Sequence, residues 1–215
     1  MEITWMGHAC FRLRSDDLAV VTDPFPGSIG LRPETRPATV VTVSNTHPNH
    51  SNRLEVGGSP KVFDSPGEYE FSGISARGVM TTLKEEQPQQ ERNVAYSIVM
   101  DNVNVCHLGD ISSPLTTRQA EELQPVDVLL APAGGGCTLD LERILQIMQD
   151  LDPKIVIPMH YQIPGCNEQL GSLDAFLQLM GVSEVQPRRS LTVTTGNLPP
   201  NMQVTILEPR ARVAA

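Results

Sequence analysis

Residues 39–50 read Thr-Val-Val-Thr-Val-Ser-Asn-Thr-His-Pro-Asn-His. Thr39–Val43 is a short β-branched run of the kind that forms a strand against a core. The chain then turns through Ser, Asn and Pro while carrying two imidazoles, His47 and His50. The same grammar recurs twice downstream. Asn104–Leu108 is a second strand-like run, containing His107 and ending two residues before Asp110, and Ile155–Met159 is a third, followed directly by His160. Three separate strands therefore end in side chains that can ligate a metal. Sheet enzymes assemble sites in this way, because strands fix the geometry and the loops at their ends supply the groups. One histidine alone reads as a hydrogen-bonded structural residue; the set reads as a site.

Around that pattern the first half of the chain is written in short β-type runs broken by Pro, Gly, Asp and Asn: Cys10–Arg14, Leu18–Thr22, Lys61–Phe63, Tyr69–Phe71 and Ala95–Met100. The second half changes period. Leu141, Ile144, Leu145 and Met148 recur at helical spacing, as do Leu173, Phe176, Leu177 and Met180, and a shorter helix is predicted over Thr117–Leu123 with Thr116 and Gln119 spaced as a capping box. Val126–Leu130 and Ile155–Pro158 read as buried strands, and Leu191–Thr195 and Val204–Leu207 as strands of the tail. Early antiparallel strands followed by strands alternating with helices predict an α/β protein with two mixed sheets and helices packed outside.

With 215 residues the chain is expected to be one domain, 1–215. It carries 16 Lys and Arg against 25 Asp and Glu, a net charge of −9, which argues against nucleic acid and acidic membrane surfaces as partners. Met1–Trp5 has neither the basic nor the apolar region of an export signal, and Cys10, Cys106, Cys137 and Cys166 stand apart without a Cys-x-x-Cys pair. A cytoplasmic protein with reduced thiols and no membrane association is expected.

The motifs Trp5-Met6-Gly7-His8-Ala9-Cys10-Phe11, Thr22-Asp23-Pro24-Phe25, Asn45-Thr46-His47-Pro48-Asn49-His50, Pro66-Gly67-Glu68-Tyr69-Glu70, Cys106-His107-Leu108-Gly109-Asp110 and Ile157-Pro158-Met159-His160-Tyr161 follow one another in that order. As an ordered set over residues 1 to about 162 they resemble the metallo-β-lactamase superfamily, in its branch of small single-domain metal-dependent hydrolases related to ascorbate-phosphate lactonases. The resemblance implies a four-layer αββα sandwich, two mixed β-sheets flanked by helices. It also implies a metal signature His-x-His-x-Asp-His, from which this chain departs. Asn45 stands where the first His belongs and Asn49 where the Asp belongs, while Thr82 or Leu83 occupies the place of a further His.

The metal ligands carried over are His47, His50, Asp110 and His160. The first metal position keeps too few groups for a stable site. The second keeps His50, Asp110 and His160 with an open position, a set that suits one divalent ion, Zn, Mn or Fe, or none. Asp110, at the bridging position, and Asn49, where the carboxylate that orients the attacking hydroxide belongs, are the positions the resemblance marks as catalytic; an amide cannot take up a proton there. His8 and Asp23 are implied to support the ligands from behind. His107 is read as structural.

Three further features have plainer readings. Ala131–Thr138 contains three consecutive glycines at a strand-to-helix turn and could face an anionic ligand, though such a run is more often only a turn. Arg188-Arg189 and Arg210 with Arg212 read as solvated charges. Lys84–Arg92 reads as an exposed loop. The function that follows is a hydrolase of esters, lactones or phosphoesters with an eroded dinuclear site, acting on a small-molecule substrate; the alternative is a non-catalytic member that binds a ligand or partner. The oligomeric state is not legible.

Overall fold

The computed structural model describes residues 1–81, 92–136, 138–184 and 186–213. Thr82, Cys137 and all of the expected Lys84–Arg92 loop except Arg92 lie outside them.

β1 (Glu2–Gly7), β2 (Cys10–Ser15) and β3 (Leu18–Thr22) form an antiparallel meander, and β4 (Val40–Thr42) and β5 (Lys61–Phe63) continue that sheet in parallel. The meander owes its register to alternation. Ile3, Trp5, Phe11 and Leu13 are fully buried, whereas Glu2, Thr4, Arg12 and Arg14 lie on the other face, paired Glu2 with Arg14 and Thr4 with Arg12. Each large apolar side chain removed from water contributes about 1.5–3 kcal/mol, so a one-residue slip of this hairpin would forfeit several such contributions at once.

The second sheet comprises β6 (Gly67–Phe71), β7 (Ile74–Thr81), β8 (Asn93–Met100), β9 (Val103–His107), β10 (Val128–Pro132) and β11 (Ile155–Met159). Two short tail strands close the sheets: β12 (Leu191–Thr192) beside β1, and β13 (Gln203–Val204) beside β11. β6 to β9 pair antiparallel and β9, β10, β11 and β13 parallel, so both sheets are mixed. Every residue of β10 and β11 is buried, as expected of parallel strands covered on both faces.

Among the described residues four helices accompany the sheets: α1 (Pro48–Ser51), α2 (Thr117–Leu123), α3 (Leu141–Leu151) and α4 (Leu173–Leu179). α2 packs on β7 and α3 on β10. The Thr116 hydroxyl accepts from the Gln119 backbone N–H at 3.3 Å while the Gln119 Oε1 accepts from Thr116 N at 2.7 Å, which is the capping box read from the spacing. α3 begins at Asp140, whose carboxylate accepts from Arg143 N, and buries Ile144, Ile147, Met148 and Leu151. Its inward face is thus rotated slightly from the one read in the sequence, with Leu141 and Leu145 at the margin of the core. The architecture is the two-sheet αββα sandwich that the motif order implied. Among the described residues no helix is long and apolar enough to cross a membrane.

Candidate metal centre

β3 and β4 run parallel, as do β9, β10 and β11, so the segments that leave their carboxyl ends gather at one edge of each sheet. Asp23 follows β3, residues 43–50 follow β4, Asp110 follows β9 and His160 follows β11; His8 sits in the two-residue turn between β1 and β2. The two edges meet. The backbone N–H of His160 donates to the carbonyl of His8 at 3.0 Å, and the same carbonyl accepts from Trp5 Nε1 at 3.0 Å.

Three buried imidazoles converge there. The possible ligand atoms of His8, His50 and His160 all lie within 4.8 Å of one another, a spacing that one metal ion can bridge. The His8 ring centroid is 4.3 Å from that of His160 and 4.8 Å from that of His50. His8, Asp23 and His160 have φ values of +51°, +37° and +53°, a left-handed conformation that costs free energy in non-glycine residues and clusters at functional sites.

The surroundings set the charge of these rings. Burial drives His8 well below its ordinary pKa, reinforced by the neighbouring imidazoles. Burial likewise lowers His160, to about 4, although Asp110 pulls it upward. Both rings are therefore neutral at pH 7 and offer lone pairs. Two of their nitrogens, His8 Nδ1 and His160 Nδ1, are buried with no hydrogen-bond partner among the described residues. An unmade bond of this kind costs about 1–3 kcal/mol, and a cation that takes a lone pair is one way to recover it. The donor set fits a divalent metal.

Asp23 orients the third ring. It is fully buried, accepts from Ser44 N at 2.8 Å and Ser44 Oγ at 2.5 Å, and its Oδ2 lies 2.8 Å from His50 Nδ1. Burial pushes its pKa up, but His107, His50 and Ser44 together hold it below the ordinary carboxylate value. An ionised Asp23 accepts a hydrogen bond from His50 Nδ1–H and so leaves Nε2, the lone-pair nitrogen, on the side of Asp110, whose Oδ2 is 3.9 Å away. The Asp110 side chain is 25% exposed and lies at the mouth of the cluster.

Other residues singled out from the sequence stand as follows. His47 is exposed, its Nδ1 accepts from Asn49 N at 3.3 Å, and its ring lies 6.3 Å from that of His50; it is not one of the three converging imidazoles. Asn45 is buried and occupied on both sides, its Oδ1 accepting from His47 N at 3.0 Å and its Nδ2 reaching Ser44 Oγ at 3.4 Å, so it shapes the loop. Asn49 is half-buried in α1. His107 is fully buried, with Nε2 2.8 Å from Ala9 O and Nδ1 accepting from Gly109 N. Of the glycine run, Gly134 lies against the His160 carbonyl, where an added Cβ would stand 2.3 Å away.

Asn93 is a residue the sequence reading missed. Its amide donates to Leu108 O and Thr81 Oγ1, both at 2.9 Å, and its Oδ1 accepts from Asp110 N at 2.9 Å. It fixes the turn that presents Asp110. Nothing in its sequence neighbourhood announces this role, which exists only once β7, β8 and β9 are side by side.

Residues 2–160 match the family described as the β-lactamase superfamily domain. A UPF0173 metal-dependent hydrolase of Methanoculleus marisnigri is 31% identical over 197 residues, covering 79% of this chain and 85% of the relative. The crystal structure of a candidate Zn-dependent hydrolase of the metallo-β-lactamase superfamily from Thermotoga maritima superposes with a TM-score of 0.78 at 33% identity, over 96% of this chain and 97% of the other. A metallo hydrolase from Ignicoccus hospitalis, at 18% identity and TM-score 0.64 over 100% and 98% of the two chains, shares the fold. The chain belongs to the metallo-β-lactamase superfamily.

Proposed function

We propose that the protein is a single-metal hydrolase of esters, lactones or phosphoesters, with His8, His50 and His160 as the metal ligands. The observation that carries this reading is the convergence of three buried imidazoles, two of them with a buried nitrogen that lacks a partner. The description of relatives as metal-dependent hydrolases supports it. When bound, a divalent cation in such a site polarises the scissile carbonyl or phosphoryl group and makes water acidic enough to attack near neutral pH. The chain's own residues do the rest. Asp23 holds the His50 tautomer, and Asp110, at the mouth, accepts the proton of the attacking water and orients it toward substrate. Asn93 keeps Asp110 in that position.

A single metal also accounts for the departures from the family signature. Asn45 is committed to its loop, Asn49 offers an amide, and His47 lies apart, so a second cation would find few donors. His8 joins the ligand set in this reading, where the motif resemblance alone gives it a supporting role.

The test is a hydrolysis screen of aryl esters, small lactones and an aryl phosphodiester with protein loaded in turn with Zn, Mn and Fe(II). Turnover should depend on the metal, vanish in His160→Ala, and fall at least about 100-fold in Asp110→Asn. One bound metal without turnover of any member of the panel, and indifferent to Asp110→Asn, would favour the non-catalytic ligand-binding alternative.

A further inference from the structure

On the outer side of β1 the fold gathers arginines that lie far apart in the sequence. Arg32 and Arg36 come from the loop after β3, Arg189 from the segment before β12, and Arg210 and Arg212 from the tail. They line one open groove of about 730 Å³, a volume in the range of small-molecule sites. The tail is held there by backbone bonds: Arg210 N donates to Trp5 O at 2.8 Å, Ala211 N to Met6 O at 3.1 Å, and Arg32 N to Arg212 O at 2.8 Å.

The carboxylates of the groove do not neutralise it. Glu34 is committed to Arg36, which reaches it through Nε and Nη2, while Glu2 is 3.3 Å from Arg14 and feels the charge of Arg210 only from beyond ion-pair distance. Arg32, Arg189, Arg210 and Arg212 have no carboxylate partner within ion-pair distance among the described residues. Beside the groove Arg12, paired with Thr4 in the β1–β2 register, donates from Nη2 to Pro37 O at 2.7 Å, while its buried Nε and Nη1 have no partner among the described residues. In a chain of net charge −9, five guanidinium groups against two carboxylates in one groove form a local reversal of sign.

We infer that this groove binds a small polyanion carrying two or more linked phosphate groups. Guanidinium forks match phosphate oxygens two at a time, and several unpaired forks around one cavity suit several phosphates on one molecule better than a single one. The bounded size of the basic area and the negative charge of the rest of the surface disfavour a long nucleic acid. The site is built by the tail and the 32–36 loop, so it does not depend on the metal reading.

The probe is inorganic triphosphate, titrated by calorimetry into the full chain with a chelator present so that no metal contributes. One equivalent should bind at low salt, weakening steeply as salt rises, with orthophosphate at least about 10-fold weaker. Arg189→Gln combined with Arg212→Gln, at two exposed positions, should weaken triphosphate at least about 10-fold and leave the unfolding temperature unchanged. No binding at low salt, or equal binding by the double variant, would overturn the proposal. So would a single-stranded oligonucleotide that binds at these arginines more tightly than triphosphate.

Discussion

His160 and His8 are joined twice: the backbone N–H of His160 donates to the carbonyl of His8 at 3.0 Å, and the two rings stand 4.3 Å apart. His8 lies in the turn of the first hairpin and His160 directly after the last long strand, β11. The bond stitches the two sheets at the point where the imidazoles meet, so the cluster forms only when the sandwich closes.

Asp23→Asn tests the orientation of His50. The amide retains the shape but offers an N–H where Oδ2 now faces Nδ1, so the ring loses the partner that fixes its tautomer. Zinc affinity, measured by competition with a chromophoric chelator, should fall about 10- to 100-fold. An unchanged affinity would show that Asp23 acts only in the fold.

His107→Ala separates structural from ligating histidines. The ring is fully buried and bonds to Ala9 O, so its loss leaves a cavity and an unmade bond, together about 2–4 kcal/mol of unfolding free energy by denaturant titration. Metal stoichiometry should stay at that of the natural protein, whereas His160→Ala should abolish binding.

Gly134→Ala and Gly135→Ala form a matched pair. At Gly134 a Cβ would stand 2.3 Å from the His160 carbonyl, displacing the strand end that carries a proposed ligand; at Gly135 no non-neighbouring atom of the described residues lies within 4 Å of such a Cβ, and the φ of +59° is what resists a side chain. Metal affinity should drop in the first and persist in the second, with about 1 kcal/mol of lost stability at Gly135. Equal affinities would mean that the Gly134 contact does not position His160.

Acid should destabilise the metal-free protein through its buried imidazoles. His8, His107 and His160 are all lowered below the ordinary value of 6.5, in each case chiefly by burial. Below that pH the unfolded chain takes up protons that the folded chain resists, so stability present above pH 6.5 is lost as pH falls, for His160 down to about 4. Each imidazole titrating in that window adds a slope of about 1.4 kcal/mol per pH unit. Denaturant unfolding of chelator-treated protein at pH 5, 6 and 7.5 should show the decline, and a flat profile would contradict the neutral, buried state.

The sandwich and the edge at which the candidate site lies were legible because they are written locally, in apolar runs that stop before His50, Asp110 and His160, and in the capping box of α2. What could not be read was side-chain partnership. His8 occupies a two-residue turn, and its convergence with His160 depends on how the sheets face each other. Asn93 and Ser44 act through contacts across strands, and Arg189 and Arg212, each flanked by ordinary surface sequence, acquire meaning only when the tail folds against β1. Conversely His47, adjacent to the site in sequence, points into an exposed turn because Asn45 and Asn49 hold it there.

X-ray absorption at the zinc edge, on protein loaded with one equivalent of zinc, tests the central claim most directly. Three imidazole nitrogens at about 2.0–2.1 Å are expected, falling to two in His8→Ala. A first shell with one imidazole or with sulfur, or a spectrum unchanged by His8→Ala, would contradict it.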